Sequence, residues 1–286
     1  MYPRYLAPDT WHLENPMRID RKRIVITGAS SGIGRSLALA LGRRGADLVL
    51  GARHRDRLEI VAAQIAAENP GRHRPVVVPC DVTQREDVHR LLLAATAFLG
   101  GVDVLVNNAG ASVYGDATRA APQDYRAQFE VNFFGPLYGI LEALPYLKPG
   151  SAIVNVGSAA GLHGVPYLAA YCASKAALAA LGQSLRAEFA PRGIRVVNVY
   201  PGYTRTALFA REKRLGGARR PGLGFISPDR VARAVLRALE RGRDEVPVAP
   251  AARGIALLRE RLPAAVDWVM ARMASRLVVP AEQAHA

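Results

Sequence analysis

The sequence predicts an α/β protein: a doubly wound parallel sheet of about seven strands, with helices on both faces and a C-terminal helical extension. Three observations carry this. Short β-branched apolar runs alternate with longer Ala- and Leu-rich segments through residues 21–250. No internal boundary or repeat divides that stretch. The loops GASSGIG, GAR, CDV, NNAG, VGS and YPG each follow an apolar run, so they converge on the carboxyl edge of the sheet, where such folds bind ligands.

The elements follow in order. IVIT is a buried strand, GASSGIG a tight loop and RSLALALGRRG a helix ending at Gly45; DLVLGAR is the second strand, completing a βαβ unit. Helices are expected at 55–68 and 84–99, and strands at 75–82 and 102–110. A long helical stretch covers about 122–146, with irregularities at Gly135, Pro136 and Pro145. A strand at 151–157 leads to a helix at about 168–190, and a sixth strand lies at 194–202. Ser227 caps a helix over 227–242 with Pro at its first turn, and DEVPVAP holds the last strand. Residues 1–20 read as an irregular arm, and 251–286 as an amphipathic extension whose apolar positions from Ile255 to Met273 repeat at helical steps.

Composition bounds the function. With 286 residues, half of them hydrophobic, the chain has room for a substantial core. Cys80 and Cys172 suggest neither a disulfide framework nor a metal site, which favours a reducing, cytoplasmic compartment. The net charge of +14 comes from scattered arginines with no basic run interleaved with aromatics, so nucleic acid is not the expected partner. That positive field instead draws an anionic cofactor or acyl substrate. The C-terminal helix has two readings: it closes over the domain or a subunit partner, or it lies on a membrane surface with its arginines at the headgroups.

The chemistry is concentrated in a few motifs. Gly28, Ser30, Ser31, Gly32, Ile33 and Gly34 form a G-x-x-x-G-x-G loop between the first strand and first helix, where glycines admit a pyrophosphate to a helix N-terminus. Arg53 ends the second strand where an acid would hold the ribose hydroxyls of NAD; an arginine fork suits a 2′-phosphate, so NADP (NADPH) is expected. Asp81, followed by Val82, either bonds the adenine amine or caps the next helix. Asn108, Ala109 and Gly110 let a cofactor approach, or form a plain turn. Asn132, among large apolar residues, must be hydrogen-bonded, and its residue type in that setting favours a structural bond over a proton relay. Tyr171 and Lys175 lie four apart on one helical face; the ammonium is expected to favour phenolate and make the tyrosine a better proton donor. Ser158 ends the preceding strand. A Ser-His-Asp hydrolase fits poorly, because Ser158 lies in no G-x-S-x-G elbow and no histidine is placed to activate it.

With TGxxxGxG, NNAG and YxxxK in order, the chain resembles the short-chain dehydrogenase/reductase family over about residues 22–250. The resemblance implies a Rossmann fold and the following roles. Tyr171 is the catalytic acid/base, Lys175 binds the nicotinamide ribose and lowers the tyrosine pKa, Ser158 positions the carbonyl or hydroxyl, and Asn132 holds a relay water. Pro201, Gly202, Thr204 and Thr206 match a segment that contacts the nicotinamide carboxamide. The function expected is NADP-dependent interconversion of a carbonyl and a secondary alcohol, in a homodimer or homotetramer, with the extension putting the common tetramer in doubt. The rival is a non-catalytic NADP-binding sensor or scaffold. Leu162, Val165, Leu208 and Phe209 hint at an apolar substrate.

Overall fold

In β1 (Arg23–Thr27) successive side chains point to opposite faces, and both faces are buried. Ile24 and Ile26 enter one core with Leu37, Leu41, Val235 and Leu239, while Val25 enters another with Leu91, Leu92, Ile140 and Ile153. A strand covered on both sides must be apolar throughout, which is why IVIT carries no alternation. This computed structural model describes residues 16–210, 212–220, 224–248, 254, 258 and 261–277.

The other strands are β2 (Asp47–Ala52), β3 (Val76–Pro79), β4 (Val104–Asn107), β5 (Val113–Gly115), β6 (Ala152–Val156), β7 (Arg195–Tyr200), β8 (Lys213–Leu215) and β9 (Glu245–Pro247). Six of them join β1 in one sheet of order β3-β2-β1-β4-β6-β7-β9, every pair parallel. The winding direction reverses between β1 and β4, so a crevice opens at the carboxyl ends there. The helices are α1 (Gly32–Gly42), α2 (Arg55–Glu68), α3 (Arg85–Leu99), α4 (Pro122–Phe129), α5 (Gly135–Ala143), α6 (Ala169–Phe189), α7 (Ala207–Ala210), α8 (Pro228–Arg241) and α9 (Pro263–Leu277).

Two features depart from the expectations. The long helix at 122–146 is broken: residues Glu130–Phe134 between α4 and α5 form a π-helical turn. The wider turn suits a stretch followed by Pro136, which has no N–H to give. β5 and β8 pair in a separate two-stranded parallel sheet, and Gly115 has φ +146°, with no room for a Cβ against the Leu215 carbonyl. Residues 16–20 of the arm form no helix or strand but are anchored to the body: Met17 and Ile19 are buried, and Met17 N donates to Leu239 O at 3.0 Å. Residues 1–15 of the arm lie outside the described residues.

Three buried asparagines tie the central strands together. Asn107, Asn155 and Asn198 occupy matching register positions on β4, β6 and β7. Asn107 Nδ2 donates to Asn155 Oδ1 at 3.1 Å, Asn155 Nδ2 to Asn198 Oδ1 at 3.4 Å, and Asn198 Nδ2 to Ala179 O on α6 at 3.2 Å. Glycines leave space for this ladder; a Cβ on Gly182 would stand 2.1 Å from Asn198 Oδ1.

Helix α9 packs on the body. Val266 and Leu277 are buried, Tyr167 Oη donates to Ala274 O at 3.1 Å, and Arg219 N donates to Leu277 O at 2.7 Å. Leu262, Trp268 and Val269 remain exposed on its outer side. Ile255, part of the expected apolar repeat, lies outside the described residues. Among the described residues, no helix is long and apolar enough to cross a membrane.

Candidate active site

A cleft of about 330 Å³ opens above the crevice between β1 and β4. The glycine loop forms its floor. Gly28 and Gly32 have φ +65° and +56°, a region that side chains disfavour. A Cβ on Gly28 would lie 2.9 Å from Ala109 Cα, and one on Gly32 would lie 3.0 Å from Thr206 Cγ2. Ser30, Ser31 and Ile33 also line this floor. Gly34 does not. It is the packing glycine, since a Cβ there would meet Asn108 Nδ2 and Gly28 O, both at 2.4 Å.

The loop is anchored from β4. Asn108 Nδ2 donates to Thr27 O at 2.9 Å and to Gly28 O at 3.2 Å. The backbone N–H groups of Asn108 and Ala109 donate to Thr27 Oγ1 at 3.0 and 3.2 Å. Thr27 is thus a site-building residue that the sequence reading left unassigned; its place directly before Gly28 was the available signal. Arg53, Asp81, Val82, Ala109 and Gly110 line the cleft with Asn108, and His54 and Thr83 join them. Asp81 Oδ1 accepts from Thr83 N at 3.0 Å and Thr83 Oγ1 at 2.9 Å, so it shapes the turn before α3, while Gln84 occupies the N-cap of that helix.

At the other end of the cleft stand Tyr171 and Lys175, both on α6. Ser158 shares a side-chain hydrogen bond with Tyr171 and also accepts from Ala160 N at 3.1 Å. Lys175 Nζ donates to Val156 O at 3.0 Å and lies 6.0 Å from the Tyr171 ring centroid. Asn132 sits in the π turn, completely buried. Its Nδ2 donates to Ala111 O at 2.9 Å and Ser174 Oγ at 3.0 Å, while its Oδ1 accepts from Ala111 N at 2.9 Å. Both amide protons are therefore committed to holding the loop after Gly110 against α6.

The electrostatics differ from the expected pair. Burial pushes the Tyr171 phenol above its ordinary value, against the opposing hydrogen bond from Ser158. Burial also lowers the Lys175 ammonium to about 8. In this arrangement desolvation outweighs the predicted stabilisation of phenolate by the lysine, whose hydrogen bond goes to Val156 O.

The last segment stands slightly apart. Thr206 lines the cleft, with Ala207 and Leu208. Pro201, Gly202 and Thr204 lie behind it. Pro201 O accepts from Ala159 N at 2.8 Å, and buried Thr204 donates from Oγ1 to Gly202 O at 2.9 Å while bridging to Ile226. The side chain of Phe209 lies outside the described residues.

A cleft with a glycine floor and with Tyr171 and Lys175 at one end, on a seven-stranded parallel sheet, defines a dinucleotide-binding oxidoreductase architecture; Ser158 is hydrogen-bonded to Tyr171 without itself lining the cleft. The family model for short chain dehydrogenase matches residues 22–214, and the chain belongs to that family. A "Dehydrogenase/reductase SDR family protein 7-like" of Anopheles gambiae is 34% identical over 275 residues, covering 92% of this chain and 86% of its own. An "uncharacterized oxidoreductase" of Staphylococcus aureus (strain MRSA252) is 33% identical over 235 residues, covering 80% and 97%. Among solved structures, a short chain dehydrogenase from Burkholderia cenocepacia in complex with NADP aligns with TM-score 0.74 and 32% identity, over 92% of this chain and 100% of that one. A family member from Burkholderia phymatum in complex with NAD aligns with TM-score 0.76 and 26% identity, over 86% and 95%.

Proposed function

We propose that the protein is an NADP-dependent oxidoreductase that interconverts a carbonyl and a secondary alcohol. The observation that carries this is the convergence in one cleft of a dinucleotide floor, Arg53, and the Tyr171–Lys175 pair. The residues fit a nicotinamide dinucleotide: the floor is bare backbone at Gly28 and Gly32, where a Cβ would meet Ala109 and Thr206. Arg53 sits on the rim at the end of β2, as a 2′-phosphate partner requires. When bound, the cofactor supplies or accepts the hydride.

The chain's own residues do the rest. Ser158 and Tyr171, already hydrogen-bonded, would together grip the substrate oxygen, and Tyr171 would give its proton to the developing alkoxide. A phenol held above its ordinary pKa keeps that proton until the alkoxide needs it. Lys175 would hold the nicotinamide ribose and, when protonated, offset the phenolate that remains. Asn132 positions the loop at Gly110 and Ala111 relative to α6. Pro201, Gly202 and Thr204 would act through Thr206, the member of their segment that lines the cleft.

Leu208, which lines the cleft, supports an apolar carbonyl or alcohol as substrate. The exposed Leu262, Trp268 and Val269 support the expectation that the extension makes a surface contact, with a second copy or a membrane. The deciding experiment is NADPH oxidation across a carbonyl panel by wild type and Tyr171→Phe. Wild type turns over and the variant binds NADPH without turnover; binding by both with turnover by neither would favour a sensor or scaffold.

A further inference from the structure

Helix α9 and the residues leading into it carry a face that the reaction above does not use. Leu262 N donates to Leu258 O at 2.7 Å and Val266 N to Leu262 O at 3.3 Å, so a helical register runs from Leu258 past Pro263 into α9. Along that register Leu258, Leu262 and Val269 fall in one row, and Arg261, Trp268, Arg272 and Arg276 in the row beside it. All seven are exposed, Leu262 at 56%, Trp268 at 64% and Val269 at 50%. The Arg272 guanidinium carbon stands 5.6 Å from the Trp268 ring centroid. Val266 and Leu277 turn inward and are buried. Asp267, the acid of α9, is on the other flank, where with Met270 and Cys172 it lines a cavity of about 380 Å³ between the helix and the loop at Gly164–Pro166. The outer face therefore joins three arginines to a tryptophan and aliphatic side chains, with no carboxylate among them.

We propose that this face docks on a bilayer surface rich in anionic phospholipid, with Leu262, Trp268 and Val269 entering the boundary between headgroups and acyl chains and Arg261, Arg272 and Arg276 pairing with the phosphates. Of the two contacts open to the extension, charge selects this one. A twofold contact between copies on this face would set three arginines against three arginines with nothing to offset them. The chain carries +14 overall, which repels a second copy and draws an anionic surface. A face that only solvated its charges would not expose a tryptophan, a leucine and a valine together; an interfacial helix needs that combination, with arginines at the headgroups. The face stands at the tyrosine end of the cleft. Tyr167 Oη donates to Ala274 O at 3.1 Å and Arg219 N to Leu277 O at 2.7 Å, which ties α9 to the loop ahead of α6, and Cys172 behind the helix adjoins Tyr171.

The test uses the full chain carrying Trp11→Phe, which leaves Trp268 as its sole tryptophan, and vesicles of phosphatidylcholine with or without phosphatidylglycerol. The chain should sediment with the anionic vesicles alone, and Trp268 emission should shift to the blue and be quenched by lipids brominated on the acyl chain. Trp268→Ser with Val269→Ser should weaken sedimentation roughly tenfold or more. Replacing Arg261, Arg272 and Arg276 together by Gln should weaken it about a hundredfold. Replacing the exposed Arg233, Arg237 and Arg241 of α8 by Gln removes the same charge elsewhere and should stay within about threefold of the parent. An equal loss from the α8 set would reduce the effect to bulk charge and overturn the proposal, as would Trp268 emission that lipid bromines do not quench. Concentration-dependent dimers that Trp268→Ser disperses, without vesicle binding, would assign the face to a second copy; saturation by soluble polyglutamate, without vesicle binding, would assign it to an acidic polypeptide. Either overturns the bilayer. Sedimentation needs no turnover, so a chain that reduces no carbonyl would defeat the proposed reaction without touching this result.

Discussion

Lys175 sits under the cleft at a cost that its replacement should release. It is 4% exposed, and burial lowers its ammonium from 10.5 to about 8. At 1.36 kcal/mol per pH unit, that depression costs the folded state roughly 3 kcal/mol wherever the lysine is charged in both states. Lys175→Met removes the charge, keeps most of the stem, and loses the hydrogen bond to Val156 O, worth about 1 kcal/mol. The expected net gain is ~2 kcal/mol at pH 7 in the absence of cofactor, or roughly 5 °C in Tm. Its pH dependence follows from linkage. Below pH 8 both folded and unfolded chains carry the proton, and the full penalty applies. Between 8 and 10.5 the unfolded chain binds more protons, so wild-type stability rises. Above 10.5 both are neutral and the penalty vanishes. Thermal unfolding followed by circular dichroism at pH 7 and above pH 10 reads this directly. A variant no more stable than wild type at pH 7, or one with an equal advantage at both pH values, refutes the reasoning. The same variant should lose turnover.

Other sites give independent tests. Arg53→Ala should weaken NADPH binding much more than NADH binding in a fluorescence titration, and equal losses would remove the 2′-phosphate role. Gly28→Ala should abolish cofactor binding and destabilise the chain by roughly 1–3 kcal/mol, since it needs positive φ and a Cβ beside Ala109; unchanged binding would show that the floor is built differently. Arg23 holds Asp103 through hydrogen bonds of 2.9 and 2.7 Å, and despite its burial the carboxyl titrates below its ordinary value. That stabilisation is present above the unfolded carboxylate pKa and lost as pH falls through the lower folded one. Arg23→Ala should therefore move acid unfolding to higher pH, read by denaturation midpoints along a pH series.

The sheet and the motifs at its carboxyl edge were legible because they obey local rules. A β-branched run followed by glycines and then a helix can be recognised without any distant contact, and Gly28–Gly34, Asn108–Gly110 and Ser158 all end such runs. The π turn at Asn132 was not legible: its composition matches an ordinary helix, and the widened turn shows only in the hydrogen-bond spacing. Nor were β5 and β8, three residues each and 100 positions apart from Val113 to Lys213. Glu212 and Arg220 look in sequence like solvated loop charges; only the fold buries them together as an ion pair. The sign of the Tyr171 shift escaped for a related reason. Spacing places Lys175 on the right face, yet burial, a property of the assembled domain, sets the balance.

The asparagine ladder under the site has a bearing on how the chain assembles. Its three amides meet only when β4, β6 and β7 are in one register. A slip of one residue by β6 would strand several buried polar groups at about 1–3 kcal/mol each, while valines sliding past valines would be penalised far less. The ladder therefore works as an alignment key. Strand pairings that satisfy the hydrophobic pattern but miss the key are disfavoured, and the loops bearing Ser158 and Asn108 reach the same edge at matched heights.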